Sequence, residues 1–288
     1  MLKKCLKYDF EAVMRTWWIV AVSMMGAAVI AGLGFRFFSQ CMVADEVNEG
    51  LTVLAAFVAI GSYFCIMAML IGMTVSFILI FWRMYTHFYT DQGYLTFTLP
   101  VKRSTLYLSK VIMATVLEAA TVGILILGIL FIALVVPPTE GGEFFISLDW
   151  LSAIGEVLGQ LVDVAGWWLI LWIPAAVAIL VLFALFQNGL IYFCITMGAV
   201  VAKRHKLIAA IGIYYGVNLA VGLIGEIIFL FLTAGIITII MAALASGGVI
   251  MGLTVTAILF IVALAMAVLG AILHFMTVNK LEQKLNLA

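Results

Sequence analysis

Along this chain the apolar positions form long runs, and the polar positions are confined to short breaks between them. The runs at 17–38, 51–84, 111–136, 164–201, 207–232 and 249–278 each reach the roughly 20 residues that a helix needs to cross a bilayer. They predict an all-α, polytopic membrane protein with six transmembrane helices in a single domain. Unbroken apolar runs of this length exclude a β-barrel, whose strands alternate between a lipid face and a polar lumen. The second run is longer than one crossing requires, so it tilts or projects beyond the bilayer. Pro174 is placed to kink the fourth.

Ahead of the first run, Leu2, Leu6, Phe10, Val13 and Trp17 recur at helical spacing, while Lys3, Lys7, Glu11 and Arg15 share another face. That pattern predicts a helix over 1–16 lying in the membrane interface, with Trp17 and Trp18 at headgroup level. The alternative is that these residues form the wet first turns of span one. At the other end, 207–278 holds 72 residues, more than two crossings use. Thr233, Gly235, Thr238, Ser246, Gly247 and Gly248 interrupt it, which predicts a re-entrant segment over 232–248, before span six. Such a segment needs shelter by protein, because unpaired backbone cannot face lipid. The rival is two long, tilted spans.

Composition agrees with the pattern: 67% of the chain is hydrophobic and 10% charged, and the mean hydropathy is +1.30. Soluble domains carry about a quarter charged residues. Net charge is zero, but its distribution is lopsided. Of 14 Lys and Arg residues only Arg36 falls on one side of the six-span map, and eight of 14 acids lie in the loops on that side, including the outer loop 137–163. Basic residues mark the cytoplasmic side, so both termini are expected there, in a plasma membrane crossed several times. The start carries no small-residue cleavage site after its first apolar run, and no cleavable signal is expected.

Chemistry-bearing motifs are few. The chain has no Gly-x-x-x-x-Gly-Lys-Ser/Thr phosphate loop and no His-Glu-x-x-His; His87, His205 and His274 are far apart. Cys5, Cys41, Cys65 and Cys194 show neither metal-ligand nor disulfide spacing. An enzyme is therefore not expected, nor a cofactor, a metal or a nucleic-acid partner. Two acids lie within apolar runs, Glu118 and Glu226. A carboxylate in lipid costs about 2.5–3.5 kcal/mol even on lenient scales, so each should face protein or water. Each is a candidate pathway residue, with a hydrogen-bonded structural acid as the alternative. Glu118, about 12 Å beyond Lys110 along a helix, would then sit near the cytoplasmic boundary.

The break at 85–110 is larger and more apolar than a simple return loop, and it reads as a cytoplasmic docking surface. Leu95 and Leu99 are one helical turn apart. Leu95, Phe97 and Leu99 also alternate with Tyr94, Thr96 and Thr98 at strand period, and the residues alone leave both readings open. The segment TDQGYLTFTLPVKRSTLYLSK resembles the loop before the third span in permease subunits of type-2 ABC exporters. Asp91, Gly93, Leu95, Leu99, Pro100, Arg103, Leu106, Leu108 and Lys110 carry the likeness. The opening MLKKCLKYDF and the Trp-rich first span resemble such permeases of Gram-positive bacteria. Gln92 departs from the pattern, standing where these loops often carry a second acid.

The resemblance implies a cytoplasmic coupling helix between spans two and three, seated on a separate ATPase. Asp91, Gly93, Tyr94, Leu95, Leu99, Pro100 and Arg103 would make the ATPase contact. It further implies two ATPase copies holding ATP and Mg, a second permease subunit, identical or homologous, and export of an amphipathic substrate by alternating access. It also implies the re-entrant piece before the last span. A secondary transporter and a non-transporting scaffold or sensor are the other function classes the composition admits.

Overall fold

Each apolar run has the composition of a helix with no water to satisfy its backbone, and each described run is helical. A computed structural model describes residues 2–43, 49–90, 92–93, 96, 98, 100–136, 152, 155–156, 159, 162, 166–202, 204–220, 223 and 248–283. The helices are α1 (Leu2–Val43), α2 (Glu49–Tyr89), α3 (Arg103–Val135), α4 (Leu169–Val201), α5 (Lys206–Ala220) and α6 (Gly248–Gln283). A 3-10 turn, Gly166–Trp168, leads straight into α4, and Gly166 sits at φ 56°, where a side chain would be strained. No strand occurs among the described residues.

Among the described residues five helices are long and apolar enough to cross a membrane: α1, α2, α3, α4 with its leading turn, and α6; α5 is shorter. Their outward faces carry large apolar side chains, Ile170 at 76% exposure and Phe275 at 74%. Such surface is at home only against other apolar groups, so the chain is a multi-pass membrane protein.

The boundaries differ from expectation in instructive places. The stretch at 2–16 runs into the first span as one unbroken helix, with no Gly or Pro between them to turn the chain. Lys7 Nζ lies 3.7 Å from Glu11, as their four-residue spacing predicts. Of the two tryptophans placed at headgroup level, Trp18 is exposed but Trp17 is buried. An indole N–H seeks a partner when packed, and Trp17 finds one. α3 begins at Arg103, eight residues before its expected start at 111, so the break at 85–110 is not one loop. Residues 85–89 complete α2 and 103–110 form the first turns of α3. α4 continues through Pro174, which leaves the Ile170 carbonyl without its helical donor. The re-entrant segment 232–248 and most of the loop 137–163 lie outside the described residues, as does the span expected at 207–232 beyond α5 and Leu223.

The chain divides into two compact units. One comprises Leu6–Arg83 and Val116–Glu156. In it α1 and α2 run antiparallel through small-residue contacts, with Gly34 against Ser62 and Gly72 against Met24. α1 and α3 run parallel: Gly128 meets Ala28 and Gly32 meets Phe131. Trp17 Nε1 donates to Thr121 Oγ1 at 2.9 Å, and Ser76 Oγ lies 2.9 Å from the same oxygen. Thr121 gives its own proton to the Leu117 carbonyl at 2.8 Å, so it accepts from both. Arg36 reaches the Val135 carbonyl at 3.5 Å, partnering the C-terminal end of α3.

Candidate functional site

The other unit comprises Met1–Cys5, Met84–Thr115 and Val157–Ala288. It collects both ends of the break singled out by sequence and packs them on α4 and α6. At the end of α2, Met84, Phe88 and Tyr89 are buried. Tyr89 Oη lies 2.6 Å from Thr196 Oγ1 on α4. Thr196 spends its single proton on the Tyr192 carbonyl at 2.8 Å, so the phenol is the donor to it.

The start of α3 is more polar still. Lys110 is 2% exposed. Its Nζ lies 3.3 Å from His87 Nδ1, which accepts from the ammonium, and 5.9 Å from the centre of the Phe88 ring. Its backbone carbonyl accepts from Tyr192 Oη at 3.4 Å. Five residues on, Thr115 Oγ1 accepts from Asn188 Nδ2 at 3.2 Å, and the same amide donates to the Ala184 carbonyl at 2.9 Å. Two contacts fasten α3 to α6: Arg103 Nη1 donates to the Leu281 carbonyl, and Ser104 Oγ lies 3.3 Å from His274 Nε2. α3 runs antiparallel to both α4 and α6.

α4 and α6 run parallel to each other. Trp172 Nε1 donates to Thr256 Oγ1 at 3.2 Å, and Gly252 lies beneath the Trp168 ring. Further along, α3, α4 and α6 part around a groove of about 250 Å³, lined by Tyr107, Val111, Leu185, Gly189, Met266 and His274 among others.

The sequence-predicted residues fall unevenly on this unit. Gly93 is buried, and its N–H donates to the Thr90 carbonyl at 2.8 Å. Pro100 is exposed. Arg103 is half-buried against α6. Asp91, Tyr94, Leu95 and Leu99 lie outside the described residues. Between them, Gln92, Gly93 and Thr96 are helical, and Thr96 Oγ1 donates to the Gln92 carbonyl one turn back at 2.9 Å. That is helical rather than strand geometry.

Glu118 is half-buried on α3, 15 residues beyond Arg103. At 1.5 Å per residue it stands about 22 Å from the start of that helix, well inside it. Glu226 lies outside the described residues.

Sequence reasoning missed Tyr89, Tyr107, Asn188, Tyr192, Thr196 and His274, and it placed Lys110 at a wet boundary. One signal was available. Gln187-Asn188 is a polar pair inside an apolar run, and such residues are kept in a span when they bond across helices. Among the described residues no three His, Cys, Asp or Glu side chains are grouped to hold a metal ion. Compared with known proteins, the chain matches no family model, no curated protein and no solved structure.

Proposed function

We propose that the chain is the permease subunit of an ATP-driven ABC exporter of the type-2 kind, moving an amphipathic substrate such as an antimicrobial peptide, a drug or a lipid. The observation that carries this reading is how residues 90–102 are anchored. On one side Tyr89 is bonded to α4. On the other, Arg103 and Ser104 are bonded to α6, while Lys110 and Thr115 are bonded to α4. A short segment whose two flanks are bonded to α4 and α6 passes a push to those helices instead of absorbing it. A plain return loop has no use for buried bonds of this kind.

In this reading residues 91–100 seat on a separate ATPase, with Leu95 and Leu99 as the apolar contact. Two ATPase copies holding ATP and Mg close on ATP binding, and a second permease subunit, identical or homologous, completes the pathway. Closure displaces the start of α3, and α4 and α6 follow, which switches the cavity between inward and outward access. Glu118 and Glu226 are the candidate pathway residues. The parallel course of α4 and α6 supports six spans, since the chain must return between them over residues 202–247. The skew of basic residues supports cytoplasmic termini in a bacterial plasma membrane.

Affinity purification of the tagged chain from its native membrane tests the proposal. One ATPase polypeptide with a phosphate-binding loop should be recovered per permease chain. Recovery of the chain with no ATPase, and with substrate transport intact, sinks it.

A further inference from the structure

The turn between α4 and α5 carries the run Lys203-Arg204-His205-Lys206, which the coupling role leaves unused. Two backbone bonds fix its ends: the Ala202 N–H donates to the Gly198 carbonyl at 3.0 Å, and the Ala209 N–H to the His205 carbonyl at 3.0 Å. Behind it the two helices meet backbone to backbone, since a Cβ on Gly198 would stand 2.5 Å from the Ala210 nitrogen. Arg204 and His205 are exposed and Lys206 is half-buried, while Lys203 lies outside the described residues. Among the described residues neither Arg204 nor Lys206 makes an ion pair.

Large apolar side chains face outward on both sides of this turn, Val201 at 66% exposure and Ile208 at 67%. On α5 the exposed face continues through Ile211, Tyr215 and Leu219, at helical spacings of three and four residues. From Ile208 to Leu219 it rises about 16 Å, and the hydrocarbon of one leaflet is about 15 Å deep. In a multi-pass membrane protein such a face lies against acyl chains, which puts Arg204 and Lys206 at the depth of the headgroups. Orienting the spans needs basic charge alone. A rigid basic turn at the end of an apolar face is more than that role requires.

We propose that the α4–α5 turn binds the headgroup of an anionic phospholipid, with Arg204 and Lys206 on its phosphodiester and its acyl chains along Ile208, Ile211 and Leu219. Charge complementarity and depth together select this ligand. A zwitterionic lipid brings a cation of its own to the two basic side chains and gains less from them. A free phosphate meets the charge but leaves the apolar face uncovered. An acidic soluble protein meets the charge but cannot descend along a face that lies in hydrocarbon. Because the turn is fixed at both ends, little backbone freedom is lost on binding. The inference rests on the membrane character of the chain and not on the permease reading.

The test uses the full chain in vesicles holding a trace of phosphatidylglycerol or, separately, of phosphatidylcholine, each with a diazirine near the glycerol end of one acyl chain. Adducts are mapped by mass spectrometry. At Val201, Leu207 and Ile208 the ratio of phosphatidylglycerol to phosphatidylcholine labelling should exceed that at Ile170, at the other end of α4. The excess should be about fivefold for each basic residue engaged. Arg204→Gln combined with Lys206→Gln should bring the ratio down to that at Ile170. Arg204→Lys should keep it, and Lys102→Gln, on another helix of the same unit, should leave it unchanged. Where the double variant does not insert, about 1 M salt on the unaltered chain takes its place, because it screens charges more than about 3 Å apart; the ratio should again fall to that at Ile170. Equal ratios at the two ends of α4 overturn the proposal, as does an excess that survives both the double variant and salt. An equal loss from Lys102→Gln marks diffuse surface charge and overturns it. So does displacement of the phosphatidylglycerol adducts by inorganic phosphate at matched ionic strength, which marks a site for a soluble anion. Absence of adducts at the turn means that protein covers it, and overturns it too.

Discussion

The Tyr89–Thr196 bond, which ties the end of α2 to α4, makes an asymmetric prediction. Tyr89→Phe removes the donor but leaves Thr196 bonded to the Tyr192 carbonyl. Its cost should be that of one ordinary hydrogen bond, about 0.5–1.5 kcal/mol, and nearer 0.6 if membrane averages apply. Thr196→Val keeps the shape and strands the Tyr89 hydroxyl, at a site 4% exposed, with no acceptor. That should cost about 1–3 kcal/mol. The double variant should cost less than the sum, because once the phenol is gone nothing is stranded; a coupling of about 1 kcal/mol is expected. The assay is reversible unfolding in mixed micelles, with the four members of the cycle measured together. Equal costs for the two single variants, or strict additivity, would refute both the donor assignment and the claim that this bond fastens α2 to α4.

Glycine contacts give a second contrast. A Cβ at Gly198 would stand 2.5 Å from the Ala210 nitrogen and 2.6 Å from its Cα, so Gly198→Ala must displace the backbone of α5. A Cβ at Gly72 would meet only the flexible Met24 side chain, at 2.5 Å. Thermal melts in detergent should show a large loss for Gly198→Ala and a small one for Gly72→Ala. For topology, single cysteines at Ser147 and His205 in a cysteine-free chain should react from opposite sides of intact cells; reaction of both from outside contradicts six spans. Glu226→Gln should change transport or its pH dependence while the amount of folded protein holds. Failure to accumulate would give Glu226 a structural role instead.

The multi-pass, all-helical character was legible because length and apolarity alone decide it: the apolar runs at 164–201 and 249–278 coincide with long helices. The start of α3 was not. Lys102–Lys110 carries four hydroxyl side chains, those of Ser104, Thr105, Tyr107 and Ser109, and three basic residues, and composition places such a segment in water. It is helical because the helix begins at Lys102, whose carbonyl accepts from the Thr105 and Leu106 N–H groups, and because Ser109 bonds back to its own turn. Lys110 is interior because His87 and Phe88 come to it from α2, a tertiary fact that charge counting cannot see. Gly198 and Gly270 show the same limit. Both are glycines within apolar runs, but one is pressed on α5 and the other opens into a groove. What a small residue does in a span depends on its neighbour's position.

The central claim is that residues 91–100 transmit force from a separate ATPase, and ATP hydrolysis by the purified complex tests it most directly. Leu95→Asp and Leu99→Asp each put a carboxylate where an apolar contact is expected, at a cost of several kcal/mol to docking. Substrate-stimulated hydrolysis should disappear in both variants while the chain melts as the unaltered protein does. Stimulated hydrolysis at the unaltered rate in both would contradict the account.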